Sequence, residues 1–208
     1  MYKCIIFDVD GTIINSEETI IKSLKLFTKK YLGMSLPDAE YSKFIGVATH
    51  IIFQKLNIPQ KNTAEALCVF NDISGETIKQ IKTFEGIIDL IKNLYDNKYY
   101  LAIVTSRNQR EFEEIKSLID FEQYFSCIVT VEHTKKHKPN PDPLHYFMDL
   151  SGFLPEEILY IGDSINDYLA CRAVNIDFAL AEWGCLDDFG INNTKYRFPN
   201  PNIASEII

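Results

Sequence analysis

The chain has 208 residues, 46% hydrophobic and 24% charged, as in an ordinary globular protein that buries a core. Its formal net charge of −8 disfavours nucleic acid as a partner, because phosphate backbones attract basic surfaces. The five cysteines lack CxxC spacing, and the sequence shows neither a signal peptide nor an apolar run of bilayer length. We therefore expect a cytoplasmic protein with reduced thiols and no zinc site, which does not contact a membrane. Nothing in the sequence implies a protein partner.

Short apolar runs predict β-strands that are buried on both faces, as in a parallel sheet. In chain order they are Cys4–Phe7, Tyr100–Val104, Cys127–Val131, Ile158–Ile161 and Ile176–Leu180. Apolar residues at helical spacing predict helices at Gly86–Tyr95, Pro143–Leu150 and Ile165–Ala173. This alternation predicts an α/β fold with a doubly wound, Rossmann-like parallel sheet.

One interval interrupts the alternation. Between Asn15 and about Lys82 the sequence has helical spacing and no convincing strand. A connection of that length is too long for an ordinary crossover, so we expect a helical cap domain at residues 15–82, inserted into an α/β core of residues 1–14 and 83–208. Because ligands of open α/β sheets bind beyond the carboxyl ends of the strands, the insertion would cover the site as a lid.

Two carboxylates follow the first predicted strand. Asp8 and Asp10 lie one residue apart before Gly11, and side chains two positions apart on a strand point to the same face. Carboxylates this close repel each other, so a cation is expected beside them, and Mg²⁺ is the natural candidate. Asp-Gly is also a common turn. A calcium-binding loop is rejected, because its required Gly and Glu positions hold Ile13 and Thr19.

The run ending at Val104 is followed by Thr105 and Ser106. The Thr105 hydroxyl and the backbone N–H groups after it open a predicted helix, whose amino end favours an anion. The alternative is that the pair only caps the helix.

A lysine-rich segment follows the third predicted strand. Prolines stiffen the backbone after Lys138, so its ammonium group is positioned more firmly than those of Lys135 and Lys136, and it suits a phosphoryl oxygen. His133 and His137 are weaker candidates as bases, since a histidine in a charged loop is more often exposed.

The fourth predicted strand leads into the segment Gly162–Asp167. Gly162 permits a tight turn, Asp163 points past the strand end, and Asp167 follows one helical turn later. Asp163 could simply cap a helix. Together with Asp8 and Asp10 it would instead complete a group of acidic oxygens large enough for Mg²⁺.

These motifs together resemble the haloacid dehalogenase superfamily of Mg²⁺-dependent phosphohydrolases, in the branch with a helical cap after the first motif. The motifs are DVDGT at Asp8–Thr12, the strand-terminal Thr105, Lys138 in KPNPDP, and GDSIND at Gly162–Asp167. The segments Phe84–Gly86 and Trp183-Gly184 are also similar to the phosphoglycolate phosphatase and β-phosphoglucomutase-like branch.

The resemblance implies a role for each acidic residue. Asp8 would attack phosphorus to form an aspartyl-phosphate, and Asp10 would act as general acid and then as base. Mg²⁺ would be held by the carboxylates of Asp8 and Asp163 and by the backbone carbonyl of Asp10, with Asp167 orienting this site from behind. Thr105, the Ser106 backbone N–H and Lys138 would hold the phosphoryl oxygens.

The expected substrate is a small phosphorylated metabolite, although the family also contains mutases and pyrophosphatases. The mutase is disfavoured because the segment Gly46–His50 lacks the arginine of the similar G-x-S-R segment in that relative. A dehalogenase is disfavoured because Asp10 suits an alkoxide leaving group. A non-catalytic binding module is a further alternative. Arg107 and His50 are possible substrate contacts, although each is more often a surface residue.

Overall fold

The computed structural model describes residues 2–45 and 47–208, with only the backbone of residue 80. Within them, six parallel strands form the central sheet, namely β1 (Cys4–Phe7), β4 (Tyr100–Val104), β5 (Cys127–Val129), β6 (Ile158–Gly162), β7 (Asp177–Ala181) and β8 (Tyr196–Phe198). Their order across the sheet is β5-β4-β1-β6-β7-β8. The predicted α/β fold with a parallel sheet is confirmed.

Strand β1 lies at the centre of the sheet, between β4 and β6. Its side chains alternate between two apolar clusters, with Ile5 and Phe7 in one and Cys4 and Ile6 in the other. Burial on both faces explains why its sequence is apolar throughout instead of alternating with polar residues.

Helices cover both faces of the sheet and also fill the segment after β1. They are α1 (Glu17–Phe27), α2 (Asp38–Ser42), α3 (Thr49–Lys55), α4 (Thr63–Thr77), α5 (Ile87–Asp96), α6 (Gln109–Lys116), α7 (Asp142–Ser151), α8 (Ile165–Ala173) and α9 (Pro201–Ile207). Among the residues described, no helix combines the length and the apolar character that crossing a membrane requires.

The helices α1 to α4 enclose an apolar cluster of their own. Three of its members, Phe27, Phe53 and Phe70, have rings that pack against one another at centroid distances of 5.3 to 6.0 Å. A two-stranded antiparallel ribbon, β2 (Ile14–Asn15) with β3 (Lys82–Thr83), joins the two ends of this helical segment. The domain boundaries expected from the sequence, at residues 14/15 and 82/83, stay a prediction.

The strand bounds differ slightly from those expected. The third predicted strand ends at Val129 instead of Val131, because Val131–His133 forms a turn of 3₁₀ helix. The short strands β2, β3 and β8 were not predicted, since two or three residues carry too little periodicity to be recognised.

Candidate active site

Asp8, Thr105 and Asp163 all lie at the carboxyl-terminal edge of the sheet. Phe7, the last residue of β1, is in register with Ile103 of β4 and with Ile161 of β6. The backbone N–H of Asp8 donates to the Ile161 carbonyl at 3.0 Å. This bond fixes against β6 the start of the segment Asp8–Thr12, called the acidic turn below. Parallel pairing therefore brings together residues that lie far apart in the sequence.

Three buried carboxylates form the centre of the candidate site. Oxygens of Asp8, Asp163 and Asp167 lie within 4.8 Å of one another. Removal from water disfavours their charged forms, and burial raises the pKa of both Asp8 and Asp163 above the ordinary value for an aspartate. A cation at this point would offset that desolvation.

Lys138 supplies one such cation. Its side chain is only 2% exposed, and its Nζ donates to Asp8 Oδ1 at 2.9 Å and to Asp167 Oδ1 at 2.6 Å. Two further acceptors, the Val104 carbonyl and the Tyr160 hydroxyl, each lie 3.0 Å away. The two acidic partners raise the pKa of Lys138 despite its burial, so it stays charged. The structure thus gives Lys138 the fixed position that the sequence predicted.

The oxygens of Asp167 are already used by donors of the protein. Oδ1 accepts from Lys138 and from the Tyr160 hydroxyl, and Oδ2 accepts from the Ser164 hydroxyl at 2.6 Å. Ser164, and not Asp163, caps α8, which excludes the interpretation of Asp163 as a helix cap. Asp163 instead accepts a hydrogen bond of 3.1 Å from Thr12 and keeps its other oxygen unpaired with any described side chain.

The residues of this cluster fit a hard divalent cation. When ionised, the three carboxylates exceed the single ammonium by two negative charges, and all the ligand candidates are oxygens, which hard cations such as Mg²⁺ prefer. Asp8, Asp163 and Asp167 together could therefore hold a metal ion.

Asp10 is not part of this cluster, and its carboxylate pairs with Arg107 instead. Strand β1 ends at Phe7, so Asp8 and Asp10 belong to a turn and do not share a strand face as the sequence suggested. Both oxygens of Asp10 accept hydrogen bonds from Arg107, from Nε at 2.7 Å and from Nη2 at 2.6 Å. The Arg107 side chain is only 12% exposed, so its interpretation as a surface residue was wrong.

Thr105 and Ser106 lie between β4 and α6, but neither caps the helix. The N-cap is Asn108, in a capping box with Glu111. Thr105 is buried, and its hydroxyl oxygen accepts from the Arg107 backbone N–H at 3.2 Å. The capping alternative is therefore excluded, whereas the expected contact of both residues with phosphate stays a prediction.

Several residues that shape the site were missed in the sequence. Tyr160 binds Lys138 and Asp167 but is indistinguishable from a core residue of a buried strand. Trp183 donates from Nε1 to the Thr12 carbonyl at 2.9 Å, which holds the acidic turn from the other side. Trp183 was noted only for its resemblance to relatives, and Thr12 only as part of a motif.

A mainly apolar cavity, partly open to solvent, lies between the helical segment and the sheet edge. Asp10 and Arg107 form part of its wall, together with Ser106. Thr49, from α3, also lines it and donates to the buried Glu111 at 3.1 Å, which links the helical segment to the core.

A second contact between these parts joins two histidines. His50 of α3 packs edge to face against His137, with ring centroids 4.7 Å apart. Burial lowers the pKa of both rings, and the neighbouring His50 lowers the pKa of His137 further. The segment Gly46–His50 was singled out in the sequence, and its first residue, Gly46, lies outside the described residues. His133, the other histidine considered as a base, accepts a hydrogen bond at Nδ1 from the Thr130 backbone N–H.

Comparison with known proteins identifies the family of the chain. The family described as haloacid dehalogenase-like hydrolase matches residues 5–181, so the chain belongs to this family of hydrolases. The resemblance stated from the motifs is confirmed, and so is the prediction of an enzyme.

Relatives with similar sequences are named as pyrophosphatases. A provisionally named pyrophosphatase PpaX of Caldanaerobacter subterraneus subsp. tengcongensis is 28% identical over 186 residues, covering 88% of this chain and 82% of that protein. Pyrophosphatase PpaX of Bacillus cereus strain AH820 is 26% identical over 180 residues, covering 86% of this chain and 82% of that protein.

Solved structures are also similar. A provisionally named phosphoglycolate phosphatase of Lactobacillus plantarum superposes with a TM-score of 0.90 at 27% identity, and the match covers 100% of both chains. A haloacid dehalogenase-like hydrolase of Streptococcus pneumoniae has a TM-score of 0.82 at 24% identity, covering 98% of this chain and 96% of that one, which shows the shared fold.

Proposed function

We propose that the protein is a Mg²⁺-dependent phosphatase that hydrolyses a small phosphorylated metabolite. The observation that carries this proposal is the buried group of Asp8, Asp163 and Asp167 around Lys138, at the sheet edge where α/β enzymes bind ligands. The names of three of the proteins compared add support, since the two pyrophosphatases and the phosphoglycolate phosphatase act, by name, on phosphate compounds.

Asp8 is the proposed nucleophile. Its Oδ1 accepts from Lys138, which orients the carboxylate, while the other oxygen is free to attack phosphorus. Attack forms a bond from this oxygen to phosphorus as the bond to the leaving oxygen breaks. The resulting aspartyl-phosphate is then hydrolysed by water, so one difficult displacement becomes two easier ones.

Asp10 is the proposed general acid and base. It lies on the side of the acidic turn that faces the cavity, where the leaving group would be. It would protonate the departing alkoxide and later remove a proton from the attacking water.

The remaining polar groups would bind the phosphoryl oxygens and the metal. Thr105, the Ser106 backbone N–H and Lys138 would hold the oxygens of the phosphoryl group that Asp8 attacks. Asp8, Asp163 and the Asp10 backbone carbonyl would hold Mg²⁺, with Asp167 orienting the ligands. When bound, the ion neutralises charge on the transferring group.

The helical segment at residues 15–82 would act as the cap domain of this enzyme. Its residues line the cavity together with Asp10, and it has an apolar cluster of its own, which a segment that moves as a unit requires. Closure would exclude bulk water from the site during transfer.

The test is hydrolysis of p-nitrophenyl phosphate and of a panel of phosphate compounds, including 2-phosphoglycolate and pyrophosphate, with Mg²⁺ and with EDTA. We expect hydrolysis that requires the metal and falls by at least about 10³-fold in Asp8→Asn, which keeps the shape but removes the nucleophile. Asp149→Asn is the matched control, because Asp149 is exposed on α7. No hydrolysis of any member of the panel would instead favour a non-catalytic binding module.

Pyrophosphate hydrolysis is the second candidate. It uses the same in-line attack at phosphorus, and the relatives named PpaX favour it. A phosphosugar mutase is less well supported, since the described residues Val47–His50 contain no arginine.

A further inference from the structure

Arg107 has hydrogen-bonding capacity that the described protein does not use. A guanidinium group carries five N–H donors, and Arg107 directs one from Nε and one from Nη2 to Asp10. No described side chain accepts from its remaining edge, formed by Nη1 and the second N–H of Nη2. Solvent reaches Nη1, so the unpaired N–H groups of this edge are available to a ligand that enters the cavity.

The nearby carboxylate does not compete for this edge. Both oxygens of Glu111 are occupied, Oε1 by the Thr49 hydroxyl at 3.1 Å and Oε2 by the Asn108 backbone N–H at 3.0 Å. Glu111 therefore adds negative charge near Arg107 without bonding to it.

Arg107 is the only cationic side chain among the described residues that line the cavity. The acidic side chains of Asp10, Glu111 and Glu114 also line it, and the rest of the wall is apolar or neutral. Among these lining residues, only the free edge of Arg107 attracts an anionic group that enters the cavity. A guanidinium fork suits carboxylate and phosphoryl oxygens, which it can bind with two parallel hydrogen bonds.

We propose that Arg107 binds a second anionic group on the leaving-group side of the substrate. The substrate class is a phosphate ester or anhydride whose leaving group carries a carboxylate or a phosphoryl group a few bonds from the scissile oxygen. The inference rests on the proposed function, because it takes Asp10 as the residue beside the leaving oxygen. Arg107 then holds Asp10 by one edge and the leaving group by the other, which aligns the acid with the oxygen that it protonates.

The test compares matched substrates in matched variants. The values of kcat/KM are measured for 2-phosphoglycolate and for its neutral amide, 2-phosphoglycolamide, with pyrophosphate as the phosphoryl arm and p-nitrophenyl phosphate as the reference. The proteins are the wild type, Arg107→Met, Arg107→Lys and the control Arg110→Met. Arg110 lies on the same helix but is exposed and pairs with Glu114.

We expect the wild type to prefer 2-phosphoglycolate over its amide, or pyrophosphate over the reference, by about 10- to 100-fold, as for a charge-assisted bidentate contact. Arg107→Met should reduce that preference to within about 3-fold of unity, Arg107→Lys should keep part of it, and Arg110→Met should leave it unchanged. Whichever arm shows the preference identifies the anion as carboxylate or phosphoryl.

The ratio between substrates separates this role from one that only positions Asp10. Loss of Asp10 alignment alone would slow all substrates alike and leave the preference unchanged, and that result would overturn the inference while the proposed function stood. A wild type that hydrolyses p-nitrophenyl phosphate without preference for either anionic substrate would also overturn it. Absence of all hydrolysis would overturn the proposed function as well. If Arg107→Met does not fold, as judged by its melting transition, inhibition of the wild type is measured instead. Competitive inhibition by glycolate but not by glycolamide would support the inference, and equal inhibition by both would overturn it.

Discussion

Replacing Lys138 by methionine removes the only ammonium group among the described residues of the acidic cluster. Its side chain is buried and forms ion pairs with Asp8 and Asp167, while Val104 and Tyr160 supply two neutral acceptors. Truncating one partner of a buried ion pair costs about 3–5 kcal/mol, because the remaining charges stay buried without compensation. For a chain of this length that corresponds to a fall of about 6–20 °C in the melting temperature.

The loss should depend on pH. Burial already raises the pKa of Asp8 from its ordinary value of 3.8, and Lys138 opposes that rise. Without Lys138 the folded state disfavours the charged carboxylate more strongly than the unfolded state does. The destabilisation should therefore be smallest at a pH below 3.8, the ordinary pKa of Asp8, and should grow as the pH rises through the raised pKa of Asp8 in the folded state.

The assay is thermal and urea unfolding of Lys138→Met at several pH values in EDTA, so that no divalent ion replaces the missing charge. The matched control is Lys3→Met. Lys3 forms an ion pair of similar length, 2.6 Å to Glu157, but its side chain is 66% exposed, so its loss should cost less than about 1 kcal/mol. A loss for Lys138→Met that is no larger than that of the control, or that does not vary with pH, would refute the reasoning.

Two further predictions concern the neighbouring loops and the histidine contact. Gly184→Ala should destabilise by about 1–3 kcal/mol in urea unfolding and slow hydrolysis, because its Cβ would overlap the carbonyl group of Gly11 in the acidic turn. Gly75→Ala, in an open helical position, should be neutral or stabilising by about 0.5–1 kcal/mol, and equal effects of the two changes would contradict this account. The pKa of His50 is lowered by burial, and that of His137 by burial and by His50, so stability should fall as the pH drops below their ordinary value of 6.5. His50→Asn should weaken this pH dependence in unfolding experiments, and an unchanged dependence would exclude the histidine pair as its source.

The sheet and the positions of the acidic residues could be predicted because both depend on local sequence. Strands buried on both faces have continuous apolar runs, and the polar residues that follow them reach the same edge of a parallel sheet. Asp8, Lys138 and Asp163 follow three different apolar runs, and they lie close together in the structure as expected.

The side-chain pairing within the site could not be predicted in the same way. Arg107 and Asp10 are 97 residues apart, and nothing in either segment indicates that the guanidinium turns towards the acidic turn. Tyr160 lies in an apolar strand, where a hydroxyl that binds Lys138 has the same sequence pattern as a core tyrosine. Such contacts depend on the distances between elements, which the periodicity of a sequence does not contain.

The central claim is that Asp8 carries the phosphoryl group during turnover. It is tested most directly by acid-quenching the wild-type enzyme during steady-state hydrolysis with Mg²⁺ and mapping any added mass by peptide mass spectrometry. The account predicts a phosphoryl group on the peptide that contains Asp8, lost when substrate is exhausted and absent from Asp8→Asn. Turnover of Asp8→Asn at the wild-type rate, with no phosphoryl group on that peptide in either protein, would contradict it.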